Sequence, residues 1–204
     1  MIKKFNWGLR IAWVTLKTKL QSIVFSTRMR ILGARLAGEV NVNGWVKLTI
    51  HPNSTVKFGK GIRINSGFDR NAVGGYRRTG IYVGKHAELE IGDGSGISNC
   101  TIVCTKRVAI GQGVMIGGGT NIYDTDFHPI QIEARHANQP ANNAPITICD
   151  NAFIGGHTTI LKGVTVGEGS VVGACSVVAK SIPPREIWAG NPARKIRDLD
   201  ASSS

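Results

Sequence analysis

The sequence lacks several features that would assign it to a common class of protein. It contains no run of 18 apolar residues, so no transmembrane helix is expected. Aromatic residues make up only 6% of the chain, which suits a narrow interior filled by aliphatic side chains. Its four cysteines, Cys100, Cys104, Cys149 and Cys175, follow no zinc-finger or disulfide spacing. We therefore expect reduced structural thiols in a cytoplasmic protein.

Acidic residues are absent from the first 38 positions, although this segment carries eight Lys or Arg and supplies +8 of the net charge of +12. Arg10, Lys17 and Lys19 interrupt its apolar part and disfavour a signal peptide. Apolar residues recur at the spacing of one helical face: Ile2, Phe5, Leu9, Ala12, Trp13, Leu16, Leu20, Ile23 and Val24. Residues 1–30 are thus predicted to lie on an anionic membrane surface, or to pack on the following domain or a neighbouring subunit. In either case we expect them to be dispensable for the fold of that domain.

A hexapeptide period dominates the second half of the chain. A β-branched aliphatic residue recurs every sixth position, at Ile148, Ile154, Ile160, Val166, Val172 and Val178. This period fits neither a helix, which needs about 3.6 residues per turn, nor an alternating strand. Hexads are typical of a parallel β-helix, in which each hexad supplies one side of a triangular coil. The aliphatic residues are therefore predicted to point inward and to stack from coil to coil.

The hexads divide the chain into three predicted segments. Residues 1–38 form the basic amphipathic helical segment, residues 39–182 the β-helix, and residues 183–204 a C-terminal segment and tail. Weaker hexads appear at Ile50, Val56 and Ile62, at Ile91, Ile97 and Val103, and at Ile110, Ile116 and Ile122. Counting from Ile50 predicts about five coils, each rising by roughly 4.8 Å. The repeat is suspended over residues 123–145, which we interpret as an active-site loop because function concentrates in loops on rigid scaffolds.

This loop contains His128, preceded closely by Asp124 and Asp126, and further along His136. A neutral imidazole beside a carboxylate is a plausible general base. Taken alone, the pattern favours a solvated surface histidine.

Three motifs together carry a resemblance to a known family. They are the hexads, the segment NIYDTDFHP at 121–129 and the segment AGNPA at 189–193. The chain resembles the hexapeptide-repeat O-acetyltransferases, in particular the maltose and galactoside acetyltransferases and those of surface-polysaccharide (lipopolysaccharide or capsule) synthesis. The resemblance covers roughly residues 84–198 and implies an all-β fold, a left-handed parallel β-helix. It also implies a homotrimer that transfers an acetyl group from acetyl-CoA to a sugar hydroxyl.

The resemblance also implies roles for individual residues. His128 matches the histidine that deprotonates the acceptor hydroxyl, and Asp124 or Asp126 is expected to orient it. Gly155 and Gly156 lie where a backbone amide faces the thioester oxygen. The remaining positions expected to bind acetyl-CoA are Phe153, Ala174, Lys180, Arg194 and Arg197.

The sequence departs from the family at the acceptor. Sugar acetyltransferases of the maltose type hold the acceptor with an asparagine, and the aligned position here is Ile97. Ser98 or Asn99 is the expected substitute. No metal is expected in the site.

Three rival functions were compared with this interpretation. A zinc lyase of the γ-carbonic anhydrase type needs three convergent histidines, and His51, His86, His128, His136 and His157 lack the required spacing. A non-catalytic β-helix scaffold, or an acetyltransferase acting on an amine or on serine, stays open. Nucleic acid is disfavoured as a partner because no recognised binding module is present. The positive charge suits acidic small molecules such as coenzyme A, or glycans linked to nucleotides or lipid phosphates at the inner face of the membrane.

Overall fold

The computed structural model describes residues 2–68, 71 and 73–200, and side chains from residue 12 onward. Within these residues, helix α1 (Ile2–Ile31) comes first and is followed by 20 strands and a short helix, α2 (Ile132–His136). The predicted tail residues 201–204 lie outside the described part.

The strands form three sheets, and successive strands visit the sheets in turn. Sheet A contains β1 (Arg35–Leu36), β4 (Thr55–Phe58), β7 (Glu88–Ile91), β10 (Arg107–Ile110), β13 (Ile146–Ile148) and β16 (Thr165–Val166). Sheet B contains β2 (Val40–Gly44), β5 (Ile62–Ser66), β8 (Gly96–Ser98), β11 (Met115–Ile116), β14 (Phe153–Ile154), β17 (Val171–Val172), β19 (Glu186–Gly190) and β20 (Ala193–Asp198). Sheet C contains β3 (Lys47–Ile50), β6 (Gly80–Val83), β9 (Thr101–Cys104), β12 (Asn121–Tyr123), β15 (Thr159–Leu161) and β18 (Val177–Val178). The strands stacked along the prism pair in parallel, as β13 does with β16, β14 with β17 and β15 with β18, whereas β19 and β20 pair in antiparallel fashion.

The hexads stack as predicted. Ile148 pairs with Val166, Ile154 with Val172 and Ile160 with Val178, so residues 18 positions apart lie above one another. All six side chains are at most 1% exposed. Every third hexad therefore returns to the same sheet and closes one coil. The predicted all-β class, the parallel β-helix of hexapeptide repeats and the preceding helix are confirmed.

One inward position differs from the prediction. Ile102, not Val103, is buried and pairs with Ile122, while Val103 is half-buried on the outer face. The corner before it contains Asn99 in the left-handed region, at φ 44°. Its tight turn shortens the step from Ile97 to the next inward residue to five positions, so the count of six fails there.

Helix α1 covers the first edge of sheet B with polar side chains. The Val42 amide donates a hydrogen bond to Ser22 Oγ at 2.8 Å, and the Gly44 amide donates one to Gln21 Oε1 at 3.0 Å. Both amides belong to edge strand β2, whose outer backbone groups would otherwise lack partners. The helix is thus fixed to the end of the prism.

The buried side of α1 also adds to the core, contrary to the expectation that residues 1–30 are dispensable. Phe25 and Met29 are buried, and the Phe25 ring centroid lies 6.2 Å from that of Phe58. A truncation that removed these side chains would expose the end of the apolar interior to water.

The predicted apolar face of α1 is not the face that packs. Trp13, Leu16, Leu20 and Ile23 are exposed, and Ala12 is exposed as well, while Val24 is half-buried. The side chains of Ile2, Phe5 and Leu9 lie outside the described part. The physical reason is that a strand edge needs hydrogen-bonding partners, which the apolar stripe does not contain.

Candidate active site

The loop that contains His128 leaves sheet C after β12 and returns to sheet A at β13, so it projects from the corner between these sheets. Its base is closed by backbone pairing. The Ala144 amide donates to the Asp124 carbonyl at 2.9 Å, and the Asp126 amide donates to the Asn142 carbonyl at 3.0 Å. Thr125 and Asn143 form an antiparallel bridge beside them. The loop therefore projects from a regular coil, and backbone hydrogen bonds hold its two ends together.

Asp124 is fully buried at the foot of this loop, and its carboxylate binds the preceding coil. The carboxylate accepts hydrogen bonds from the amides of Thr105, Lys106 and Arg107 at 2.7 to 3.0 Å, and from Thr105 Oγ1 at 2.8 Å. None of its hydrogen bonds reaches His128. The prediction that Asp124 could orient the imidazole is therefore corrected: its geometry gives it a structural role.

His128 stands exposed at the turn of the loop. Phe127 precedes it at φ 63°, and the His128 amide donates to the Asp126 carbonyl at 2.7 Å. The Phe127 ring packs edge to face on Tyr123, with centroids 5.2 Å apart. These contacts hold the backbone, while the imidazole makes no hydrogen bond to any described residue. Its nitrogen atoms are therefore accessible to a ligand.

Asp126 is the carboxylate that remains near His128. Its Oδ1 lies 3.2 Å from Nζ of Lys162, at the same corner one coil further on. Its Oδ2 is buried and has no hydrogen-bond partner in the described part of the chain. Asp126 thus has one oxygen atom in an ion pair with Lys162 and one buried oxygen atom without a partner in the described part of the chain.

The predicted acetyl-CoA residues lie mainly on sheet B and at its corner with sheet C. Phe153 is exposed and pairs with exposed Met115 on the neighbouring strand. A Cβ on Gly155 would lie 2.5 Å from the amide nitrogen of Ala174, so these two positions stack in successive coils. The main chains of successive coils therefore pack closely at this corner, where Gly155 is buried and Ala174 is exposed.

Gly156 lies at the same corner, and its amide makes no hydrogen bond to a described residue. A Cβ on Gly156 would lie 2.9 Å from Val73 Cγ1, because the insertion between β5 and β6 crosses this corner. The His157 ring fixes that insertion, with Nε2 2.8 Å from the Val73 carbonyl oxygen. A side chain on Gly156 would therefore press against the Val73 side chain and the Gly118 carbonyl oxygen.

The three basic residues expected to bind acetyl-CoA lie in two different places on the prism. Arg194 and Arg197 lie on β20, the last strand of sheet B, and both are exposed. Lys180 follows β18 in sheet C and therefore lies at the corner between sheets C and A. It shares that corner with Lys162 and the His128 loop, not with the groove beside Phe153.

Two groups of residues thus occupy different corners of one prism. We call His128, Asp126 and Lys162 the base corner, and Phe153, Gly155, Gly156 and Ala174 the groove corner. Sheet C separates them by strands of about three residues, or roughly 10 Å. A single copy of the chain does not bring the predicted base and the predicted thioester slot together.

The two predicted acceptor residues differ in availability. Asn99 is fully buried, and its side chain binds the Gly67 backbone, accepting from the amide at 2.8 Å and donating to the carbonyl at 3.3 Å. Asn99 therefore anchors the insertion, and its predicted role as an acceptor ligand is corrected. Ser98 Oγ is partly accessible and accepts from Asn65 Nδ2 at 3.2 Å. Ile97, at the position aligned with the family's asparagine, is buried in the core.

Ser98 lies in an open cavity of about 460 Å³ on the outer face of sheet B, which polar and apolar residues line together. Asn41, Asn43, Arg63 and Asn65 line it next to Phe153. These polar residues alternate with buried aliphatic residues in VNVNG and IRINS, a pattern that marks outward positions in the sequence but was not used to predict a site.

Burial raises the pKa of two thiols so far that they stay protonated and unreactive. It raises the pKa of Cys100 to about 12, and burial together with the negative charge of Asp124 raises the pKa of Cys104 to about 12. Burial also raises the pKa of Cys149. All four cysteines are free.

Two kinds of feature are absent from the described residues. No group of three or more His, Cys, Asp or Glu side chains among them could hold a metal ion. None of the described helices is both long and apolar enough to span a bilayer.

Comparisons with known proteins agree with the fold. Residues 145–180 match the family model described as bacterial transferase hexapeptide (six repeats). The chain is 43% identical over 102 residues to galactoside O-acetyltransferase of Escherichia coli (strain K12), covering 50% of this chain and 49% of that protein. The chain spans half or less of the length of the curated relatives it matches.

Solved structures give the same result. A hexapeptide-repeat acetyltransferase from Vibrio cholerae O1 biovar eltor, in complex with acetyl coenzyme A, is 37% identical with a TM-score of 0.52, covering 55% of this chain and 61% of that one. A maltose O-acetyltransferase from Clostridium difficile 630 shares the fold at 23% identity and a TM-score of 0.56, covering 93% of this chain and 86% of that one. The resemblance to hexapeptide-repeat acetyltransferases is confirmed.

Proposed function

We propose that this protein transfers an acetyl group from acetyl-CoA to a hydroxyl group of a sugar, in the synthesis of a surface polysaccharide. The observation that carries the proposal is the exposed imidazole of His128 on a loop whose base is closed by backbone pairing. The galactoside O-acetyltransferase relative and the Vibrio cholerae structure with acetyl coenzyme A support the reaction class.

The chemistry follows from the residues at the two corners. The His128 imidazole accepts the proton of the acceptor hydroxyl as the oxygen attacks the thioester carbon. The Gly156 amide donates to the oxygen that becomes negative. Collapse of this intermediate breaks the carbon–sulfur bond, and the imidazolium returns its proton to the leaving thiolate. Asp126 stabilises the imidazolium between these steps, as a carboxylate does in other acyl-transfer sites.

A homotrimer completes this site in the proposal. The base corner and the groove corner of one copy lie on opposite sides of sheet C, so each needs a facing copy. Closed threefold symmetry lets the base corner of every copy meet the groove corner of the next. The exposed Phe153 and Met115 side chains would then be covered, and the extended arm of acetyl-CoA would lie between two prisms.

The acceptor is proposed to occupy the cavity around Ser98. Its amide groups and the Arg63 guanidinium offer donors and acceptors that suit a hydroxyl-rich glycan with negative charge. Asn43 also lines this cavity, and its Oδ1 is buried without a hydrogen-bond partner among the described residues.

An acceptor screen with acetyl-CoA tests the proposal. Free thiol is followed while the protein is incubated with galactosides, maltose, acidic oligosaccharides, serine and simple amines. We expect thiol release with sugar hydroxyl acceptors and an ester product that alkali cleaves. Release only with amines or serine, or no release with any acceptor, would overturn the assignment.

A further inference from the structure

Helix α1 exposes a continuous apolar stripe. Trp13, Leu16, Leu20, Ile23 and Ile31 are between 57% and 79% exposed. At about 100° of rotation per residue, all five fall within roughly 80° of the helix circumference. The stripe runs along the helix for about 27 Å at 1.5 Å per residue.

The opposite side of α1 packs on the prism. Gln21, Phe25 and Met29 are buried there, and Ser22 binds strand β2. Most of the stripe therefore points away from the prism, while Ile23 borders a depression that Gly38 and Val40 also line.

Cationic side chains border the stripe on both sides. Lys17 and Arg28 lie along one border, and Lys19 and Arg30 lie along the other. All four are exposed, and the helix contains no acidic residue. An apolar stripe between two cationic borders is the pattern of a helix that lies in the headgroup region of a membrane.

Aromatic side chains extend this surface beside Lys17. Trp45, Phe68 and Tyr76 are exposed and line one depression with Lys17 and Arg78. The Phe68 and Tyr76 rings stack with centroids 4.6 Å apart. Amphipathic aromatic side chains favour the boundary between water and lipid.

We propose that α1 binds the surface of an anionic lipid bilayer through this stripe, with its cationic borders against the lipid phosphates. Charge favours lipid over a second copy of the helix. Two such helices packed stripe to stripe would bring cationic borders together, and α1 itself contains no acidic residue to neutralise them. An anionic surface instead attracts each border.

Vesicle co-sedimentation of the full chain tests this proposal. We expect binding to vesicles of phosphatidylcholine with phosphatidylglycerol, and much weaker binding to pure phosphatidylcholine. Leu16→Glu with Leu20→Glu should lower the partition coefficient by at least about tenfold. Lys17→Gln with Lys19→Gln should lower it by about fivefold for each cation, and only on the anionic vesicles.

A matched control variant separates the effect of the apolar stripe from the effect of the protein's net charge. Asn53→Glu with Gln112→Glu makes the same change of charge at exposed positions outside α1, and should bind nearly as well as the unchanged protein. All variants alter exposed side chains, and their thermal unfolding is compared to verify the fold.

Two outcomes would overturn the proposal. One is failure of the unchanged protein to bind anionic vesicles. The other is a smaller assembly of the Leu16→Glu, Leu20→Glu variant in sedimentation velocity without lipid, which would show that a second copy covers the stripe. Neither readout depends on acetyl transfer.

Discussion

The carboxylate of Asp124 lies 2.7 Å from the amide nitrogen of Thr105, one coil earlier in the prism. The same carboxylate accepts from the amides of Lys106 and Arg107, so it holds a corner that has no regular pairing of its own. Its place in the sequence, near His128, gave no sign of this because its partners lie 17 to 19 residues upstream.

Asp124→Ala is expected to destabilise the protein rather than to remove a catalytic group. Three amides would lose a charged acceptor, at a cost of about 3 kcal/mol or more in the free energy of unfolding. Urea unfolding measures this cost. If the variant were inactive but as stable as the unchanged protein, Asp124 would have a catalytic role and not a structural one.

His128→Ala should lower the turnover rate by roughly 10²- to 10⁴-fold, because the acceptor hydroxyl would lose its base. Affinity for CoA should change little, since Phe153, Gly155 and Ala174 lie at another corner. His136→Ala is the control, because His136 lies in the same loop at the end of α2 and outside the shared motif. Near-normal turnover of the His128 variant, or loss of activity in the His136 variant alone, would contradict the assignment.

Thiol labelling should follow burial. At pH 8 a thiol with a pKa near 12 is ionised to about one part in ten thousand, so Cys100 and Cys104 should resist iodoacetamide until the protein unfolds. Exposed Cys175 should react in the native state. Mass spectrometry of native and urea-treated samples compares the sites. Rapid native labelling of Cys100 would show that the prism opens at this coil.

Two positions on α1 test whether the helix is part of the core. Phe25→Ala should lower the free energy of unfolding by about 3 to 5 kcal/mol, because its ring is buried against Phe58. Leu20→Ala on the exposed stripe should change it by less than about 0.5 kcal/mol. Chemical denaturation measures both. Equal effects would mean that α1 does not pack as described.

The interior of the prism could be predicted from the sequence, because an inward aliphatic residue at every sixth position is a local rule that each coil repeats. The rule failed at Val103, where the left-handed Asn99 makes a shorter corner that the residue types do not announce. It was also silent about α1. The side of that helix that packs is the one whose Ser22 and Gln21 oxygen atoms accept hydrogen bonds from the edge amides of Val42 and Gly44.

The candidate site was predictable only in part, for a related reason. His128 and the groove residues are visible as motifs, but their separation by sheet C depends on which corner each hexad reaches. That assignment requires the register of every preceding coil. Lys180 shows the consequence. The resemblance implied that it binds acetyl-CoA together with Phe153, but the coil places it at the corner that carries His128.

The separation of His128 from Ala174 leads to a prediction about mixed assemblies. Ala174→Trp should block the groove, because Ala174 is exposed and its Cβ points to solvent at the groove corner. His128→Ala should remove the base. Each variant alone should be inactive, but their mixture should regain activity if one copy supplies the base and the next supplies the groove.

The expected recovery follows from threefold symmetry. Each mixed trimer holds one complete site of three, so purified mixed assemblies should recover about a third of normal activity. The two variants are co-expressed with different tags, and mixed assemblies are purified before thiol release is measured. Co-expression of His128→Ala under both tags is the control. If the mixed assemblies were inactive, the base and the groove of one site would belong to the same copy. The proposal that neighbouring copies share each site would then be wrong.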